Sequence, residues 1–209
     1  MQLYLYEHCP FCVRVLMLIN AKQLDVELKV LLNDDVDTPT SLIGQKMVPI
    51  LITDAGKAMP ESLDIIHYLD HLDEPLITDT SINPAIQAWL SDVASINRQL
   101  IYPRMVQHNF PEFETQAARD YFIHKKFGDH AQMQAHLDNT EALAEELQRH
   151  WPALETILST CENNALCMTD IILFPVLRNM SLYSELNPPV AVKHYMDRLA
   201  NSLSLGLYS

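Results

Sequence analysis

The 209-residue chain predicts an α/β domain of order βαβαββα followed by an all-helical domain. Three observations carry that prediction. Up to about residue 72, apolar runs of period two alternate with stretches of helical period; beyond Asn83-Pro84 only helical stripes remain; and glycine occurs only four times. The length suffices for one large domain or two modest ones with a substantial core. The expected division is residues 1–72, a linker over 73–84, and 85–209.

Leu3-Tyr4-Leu5-Tyr6 reads as the first strand. Cys9-Pro10-Phe11-Cys12 follows and opens a helix. Val13, Leu16 and Met17 form its apolar stripe, with Asn20 and Ala21 at the same spacing. Val26, Leu28 and Val30 alternate with Glu27 and Lys29, the pattern of a half-buried strand. Asn33-Asp34-Asp35 is a polar turn, and Pro39 to Ile43 a short helix ended by Gly44. Val48-Pro49-Ile50-Leu51-Ile52 is another strand, Asp54-Ala55-Gly56 a turn, and Lys57-Ala58-Met59 a brief strand completing a hairpin. Ser62 suits the start of a helix with Leu63, Ile66, Leu69 and Leu72 as its stripe. A βαβ unit followed by a hairpin and a helix is the order of a thioredoxin-like domain.

Asp73-Glu74-Pro75 and Thr78-Asp79-Thr80-Ser81 read as linker. At Asn83-Pro84 a capping side chain precedes a proline at the first helical position. Helical stripes then run through 85–102, 115–127, 130–158, 168–183 and 189–201. Pro103, Pro111, Asn163-Asn164 and Asn187-Pro188-Pro189 are the expected breaks. Pro175 lies within an apolar helix, which it should kink unless it falls in the first turn.

The formal net charge of −13 excludes the basic surfaces that nucleic acid and anionic membranes require. Residues 1–72 carry five basic and ten acidic side chains, so neither part is a basic module. No basic-then-apolar leader opens the sequence, and no apolar run approaches the length of a membrane span. A cytoplasmic location is expected. There thiols stay reduced, and a cysteine pair is reactive rather than structural.

Cys9 and Cys12 are spaced for thiol–disulfide exchange. At a helix N-terminus the free N–H groups and the macrodipole favour a thiolate, so Cys9 is the expected nucleophile, exposed at the N-cap. Cys12, a turn further on and more covered, is the resolving thiol. A zinc site is the alternative for such a pair. It needs further ligands, and His8 is the single nearby candidate, since the spacing of Cys161 and Cys167 is wrong for a knuckle. No metal is expected. His8 and Arg14 add positive charge near Cys9 and Glu7 opposes it, although Glu7 and Arg14 read as surface residues. Facing a redox cysteine, Val48 before a cis Pro49 would offer its backbone to an extended peptide. Glu61 and Ser62 cap a helix, and together they suit an α-amino acid head group: Ser62 and the helix N–H groups for the carboxylate, Glu61 for the ammonium. Glutathione joins such a head group to a thiol through a short peptide.

Cys9-Pro10-Phe11-Cys12, Val48-Pro49 and Glu61-Ser62, ahead of an all-helical second half, resemble the glutathione-transferase superfamily. With two cysteines the chain is most similar to its two-domain bacterial glutaredoxins. The likeness takes in Leu31-Leu32-Asn33-Asp34-Asp35, Met59-Pro60-Glu61-Ser62 and Phe174-Pro175. Small single-domain glutaredoxins carry Gly-Gly where this chain has Glu61-Ser62. The resemblance implies a thioredoxin-like domain joined to a glutathione-transferase-like helical domain. It also implies a glutathione-dependent disulfide oxidoreductase with glutathione as co-substrate and no tightly bound cofactor. Cys9 would attack, Cys12 would resolve, Val48 would bond the glutathione backbone beside cis Pro49, and Glu61 and Ser62 would hold the γ-glutamyl end. Pro10 and Phe11 would complete the glutathione site. Disulfide-containing or glutathionylated proteins are the implied partners, and a monomer is expected. Phe11 replaces the usual tyrosine. Cys167 stands where relatives place a capping serine, so Thr169 or Asp170 would cap instead. No basic partner for the glycine carboxylate is identifiable. The rival readings are a glutathione transferase, which would use a tyrosine or serine hydroxyl at the helix start, and a glutathione-assisted iron–sulfur module. Cys161 and Cys167 read as ordinary thiols rather than a regulatory pair, and Trp89 and Trp151 as packing residues.

Overall fold

A computed structural model describes residues 1–159 and 165–208, so Cys161 and the Asn163-Asn164 break lie outside the described residues. In chain order the elements are β1 (Gln2–Leu5), α1 (Pro10–Lys22), β2 (Glu27–Val30), α2 (Asp37–Ile43), β3 (Ile50–Ile52), β4 (Ala58–Met59), α3 (Ser62–Asp70), α4 (Pro84–Gln107), a 3-10 turn (Pro111–Phe113), α5 (Gln116–Phe127), α6 (His130–Asp138), α7 (Thr140–Gln148), α8 (Trp151–Ser159), α9 (Met168–Met180) and α10 (Val190–Ser202). They form two compact units. One comprises Met1–Leu76 with Asn109–Lys125, the other Ile77–His108 with Lys126–Ser209.

The first unit has the expected βαβαββα order, with 109–125 added from downstream. Its mixed sheet runs β2-β1-β3-β4. β1 is parallel to β2, pairing Leu3 with Leu28. β1 is antiparallel to β3, pairing Tyr4 with Ile50, and β3 is antiparallel to β4, pairing Leu51 with Met59. Leu3 and Leu5 share one face of β1 and are buried, as period two requires, and Leu51, opposite Leu3, is buried on that same face. α1 buries far more than the expected stripe, because Cys12, Val13 and every residue from Val15 to Ile19 are enclosed. Helix α3 packs against α1 through Ile65, Ile66 and Leu69.

Two sequence expectations fail here for identifiable reasons. Leu28 and Val30 are exposed rather than half-buried, because β2 is the outer strand of the sheet and its faces are largely uncovered. On α3 the stripe is rotated: Leu63 is exposed and Ile65 takes its place in the core, while Leu72 lies beyond the helix end and is exposed. A three-residue interval drifts around a helix of 3.6 residues per turn, so it cannot stay on one face. At the C-terminal end of α3, buried Asp70 accepts hydrogen bonds from Lys22 Nζ and from the Leu76 N–H, tying this helix end to α1.

Among its described residues the second unit contains helices and no strand. Asn83 caps α4 as expected, its Oδ1 accepting from Ala85 N at 2.9 Å, with Pro84 in the first turn. Pro103 does not break this helix, which continues to Gln107. The lost N–H costs about 3 kcal/mol, and burial of Leu100, Ile101, Pro103, Met105 and Val106 offsets it. The stretch 130–158 is three helices rather than one, with Asp129 capping α6 and Asn139 separating α6 from α7. Pro175 is buried in the interior of α9. Trp89 and Trp151 stack at 5.7 Å, and Trp89 Nε1 donates to the His150 carbonyl, so both serve packing. At the start of α9 the cap stays at Cys167, contrary to expectation: its side chain accepts from the Asp170 N–H, and Asp170 completes the capping box, its Oδ2 accepting from Cys167 N at 3.2 Å while its Oδ1 accepts from Tyr195 OH at 2.9 Å. Thr169 instead accepts from Asn83 N.

Candidate active site

The antiparallel registers bring three sequence motifs to one end of the sheet. Tyr4 opposite Ile50 continues to Val48-Pro49 alongside the end of β1, where the Cys9 turn departs. Leu51 opposite Met59 continues to Glu61 beside Pro49. Strand geometry alone thus gathers Cys9, Val48-Pro49 and Glu61-Ser62.

Cys9 is the N-cap of α1, with Pro10 in the first turn. Its carbonyl accepts from Val13 N and its own N–H donates to the Tyr6 carbonyl. Cys9 and Cys12 are both free thiols. Cys12 is fully enclosed and Cys9 is 9% exposed, so the expected open nucleophile is instead a nearly covered one. The preceding residue, His8, lies in an aromatic nest, stacking on Tyr6 and Phe113 with Phe122 edge-on.

The Cys9 thiol is lowered to about 7. A hydrogen bond from the Cys12 thiol is the main cause. Burial acts against it, while the charge of His8 and the N–H groups of Cys12 and Phe11 add to it. The helix terminus therefore contributes as the sequence suggests, but the second cysteine contributes more. Burial and the neighbouring Cys9 push Cys12 well above the ordinary thiol range, although its Sγ accepts from Tyr6 N at 3.5 Å. Cys9 is thus the ready thiolate and Cys12 the held-back thiol.

Phe11 is half exposed, and the Arg14 guanidinium lies over its ring at 4.5 Å from the centroid. Arg14 is consequently not the plain surface residue its sequence context suggests. Burial lowers its pKa, and it acts electrostatically with Cys9. Glu7 is exposed, as expected. The Val48–Pro49 peptide bond is cis. Glu61 is exposed and adopts φ 68°, ψ 112°, a region costly for a residue with a Cβ. That turn makes Glu61 the N-cap and puts Ser62 at the first helical position, 5% exposed. Ser62 therefore does not cap α3, which has no side-chain cap.

Two participants escaped the sequence reading. Glu112, in the 3-10 turn, is completely buried and accepts from both the His8 N–H at 2.9 Å and His8 Nδ1 at 2.6 Å. The signal for it was an acidic residue between two phenylalanines, Phe110-Pro111-Glu112-Phe113. Lys46, shortly before Val48, bonds the Asn33 carbonyl and lies over the Tyr121 ring at 3.7 Å. Desolvation lowers it to about 8. Among the described residues no group of three or more His, Cys, Asp or Glu side chains could hold a metal ion. No helix of the described residues is long and apolar enough to cross a membrane.

Comparison with known proteins agrees with this geometry. Residues 3–76 match the model for the glutathione S-transferase N-terminal domain, and residues 85–209 that for the glutaredoxin 2 C-terminal domain. Glutaredoxin 2 of Escherichia coli strain K12 is 42% identical over 100% of this chain and 98% of the relative. The crystal structure of glutaredoxin 2 from Salmonella typhimurium, in complex with glutathione, is 42% identical and superposes with a TM-score of 0.91, covering 99% and 95% of the two chains. Gtt2 from Saccharomyces cerevisiae, 17% identical, superposes at 0.58 over 98% and 99% and shares the fold alone. Likeness that runs end to end, in sequence as well as in backbone, places the chain in the glutaredoxin 2 family, within the glutathione-transferase superfamily.

Proposed function

We propose that Cys9 and Cys12 carry the glutathione-dependent thiol–disulfide exchange of this glutaredoxin. The observation that carries the reading is Cys9 at the N-cap of α1 with the enclosed Cys12 one turn on, an arrangement that favours the Cys9 thiolate and keeps Cys12 protonated. At neutral pH about half of Cys9 is then thiolate, against roughly one part in a hundred for a thiol at the unperturbed value of 9.0. The Cys9 thiolate attacks the glutathione sulfur of a glutathionylated protein. The S–S bond breaks, the protein thiolate leaves and takes up a proton, and Cys9 is left joined to glutathione. A second glutathione thiolate attacks that mixed disulfide, releasing oxidised glutathione and the Cys9 thiolate. With a protein disulfide, the Cys9 thiolate attacks one sulfur and frees the other as a thiolate; Cys12 then loses its proton, attacks the Cys9 sulfur and displaces the second substrate thiolate. The substrate leaves reduced, and two glutathiones then reduce the Cys9–Cys12 disulfide.

Glutathione is seated by the Val48 backbone beside Pro49, by Glu61 and Ser62 at its γ-glutamyl end, and by Pro10 and Phe11 near its cysteine. The shared sheet end favours this set. The chemistry belongs to the thioredoxin-like domain, residues 1–72 with the 109–125 segment packed into it. Turnover by reduced glutathione suits the cytoplasm, and glutathionylated or disulfide-bonded proteins are the partners. In the test, Cys9→Ser abolishes exchange. Cys12→Ser retains deglutathionylation, loses reduction of protein disulfides, and accumulates one glutathione on Cys9 by mass spectrometry. Full exchange by Cys9→Ser would overturn the assignment.

A further inference from the structure

Glu112 is the most deeply buried charged residue of the first unit, at 0% exposure. Burying a carboxylate is costly unless it is paired and hydrogen-bonded. Its partner is unusual in contributing two donors from one residue. Oε1 accepts the backbone N–H of His8 at 2.9 Å and Nδ1 at 2.6 Å. Oε2 has no hydrogen-bond partner among the described residues. The Glu112 carbonyl in turn accepts from Asn33 N at 2.9 Å, so both ends of the residue are anchored.

The protonation pattern follows. Burial raises Glu112, but the hydrogen bond and charge of His8 outweigh it and hold it below the ordinary carboxylate range. An ionised carboxylate only accepts, so the proton of the short bond sits on Nδ1. The ring itself is gripped between Tyr6 and Phe113, 5.7 and 5.0 Å away. His8 adjoins Cys9 in sequence, and its charge favours the Cys9 thiolate. Glu112 acts on the thiols in the opposite sense, its charge pushing Cys12 up. The other titratable groups at this corner are Tyr6 and Arg14, with Asp35 and Tyr121 bearing on Tyr6 from their own segments.

We propose that Glu112 is a positioning residue for the redox reaction, clamping His8 by its backbone and its ring so that the imidazole supports the Cys9 thiolate. The proposal rests on Cys9 being the nucleophile. It differs from a merely structural salt bridge in the sign of one measurable shift. If Glu112 works through His8, removing its charge makes Cys9 harder to ionise. If it only repels nearby thiolates, removing its charge makes Cys9 easier to ionise.

The test is the pH profile of Cys9 alkylation in Glu112→Gln, which keeps the shape and loses the charge. The expected result is a Cys9 titration raised by about half a unit to one unit, which reduces the thiolate fraction at neutral pH about two- to fivefold. An unchanged or lowered titration in a folded variant overturns the proposal. Should Glu112→Gln not fold, Glu112→Asp keeps the buried charge, draws the carboxylate back from His8 Nδ1 by one methylene, and is judged by the same criterion. Wild-type protein is the control for the underlying reading. If its Cys9 alkylates no faster than an ordinary thiol, the nucleophile itself is misassigned and the proposal falls with it; if wild-type Cys9 reacts as described and the variants do not shift, only the role of Glu112 is refuted.

Discussion

Cys12 does more than close the disulfide, and replacing it with alanine isolates that second task. Its thiol is the largest of the causes that lower Cys9. Without it, the N–H groups of the helix start and His8 remain, so only part of the shift is lost. A rise of about one unit, some 1.4 kcal/mol, is the expected scale. At pH 7 the thiolate fraction then falls from about one half to about one tenth, roughly fivefold. Each remaining thiolate is more basic and about threefold more nucleophilic, for a Brønsted slope of ~0.4–0.5. The observed alkylation rate at pH 7 therefore drops only about twofold. Above pH ~9.5, where both proteins are ionised, the variant becomes about threefold faster. This crossing of the two pH–rate curves is the signature. Stopped-flow alkylation with iodoacetamide measures it, and the thiolate ultraviolet absorbance supplies the titration independently. Cys12→Ser restores a hydroxyl donor and should fall between alanine and wild type. Parallel curves, or a Cys9 titration in Cys12→Ala that stays put or moves down, would refute the reasoning.

Two further substitutions test the scaffold. Glu61→Gly relieves a backbone position that costs about 1–3 kcal/mol for a residue with a Cβ, against ~0.5–1 kcal/mol of lost glycine freedom. Urea unfolding should show equal stability or a gain of about 1 kcal/mol, with KM for glutathione raised; a clear destabilisation would contradict the strain argument. Asp170→Ala removes the acceptor of both Cys167 N and Tyr195 OH and should cost about 2–4 kcal/mol. Asp170→Asn should recover part of that loss, and a change under ~0.5 kcal/mol on alanine substitution would show that the cap is dispensable.

What could be read from the residues was whatever local chemistry dictates. Cys9-Pro10-Phe11-Cys12 after an apolar strand, Asn83-Pro84 as a helix start, and Gly44 as a helix stop each specify their backbone within a few positions, and the structure agrees with all three. The misjudged features depend on neighbours. Pro103 is a helix breaker by propensity, yet tertiary burial of the surrounding turn holds the helix together. Leu28 and Val30 alternate like any half-buried strand, and only the strand order reveals that β2 is outermost. Ser62 is a good cap by residue type, but the positive φ of Glu61 starts the helix one residue differently. Within the site, the dithiol and the Val48-Pro49 and Glu61-Ser62 pairs were legible as motifs. Glu112 was not, because its partner lies 104 positions away and no spacing rule connects them.

That separation has a consequence for how the enzyme comes into being. A nascent polypeptide that has left the ribosome as far as Leu76 already possesses the whole four-stranded sheet and both cysteines, but not the carboxylate under His8. Its redox corner is finished only when translation has passed the Asn109–Lys125 segment and a long loop has closed. Proteins cut or prematurely terminated between these points retain the cysteines while lacking their remote support.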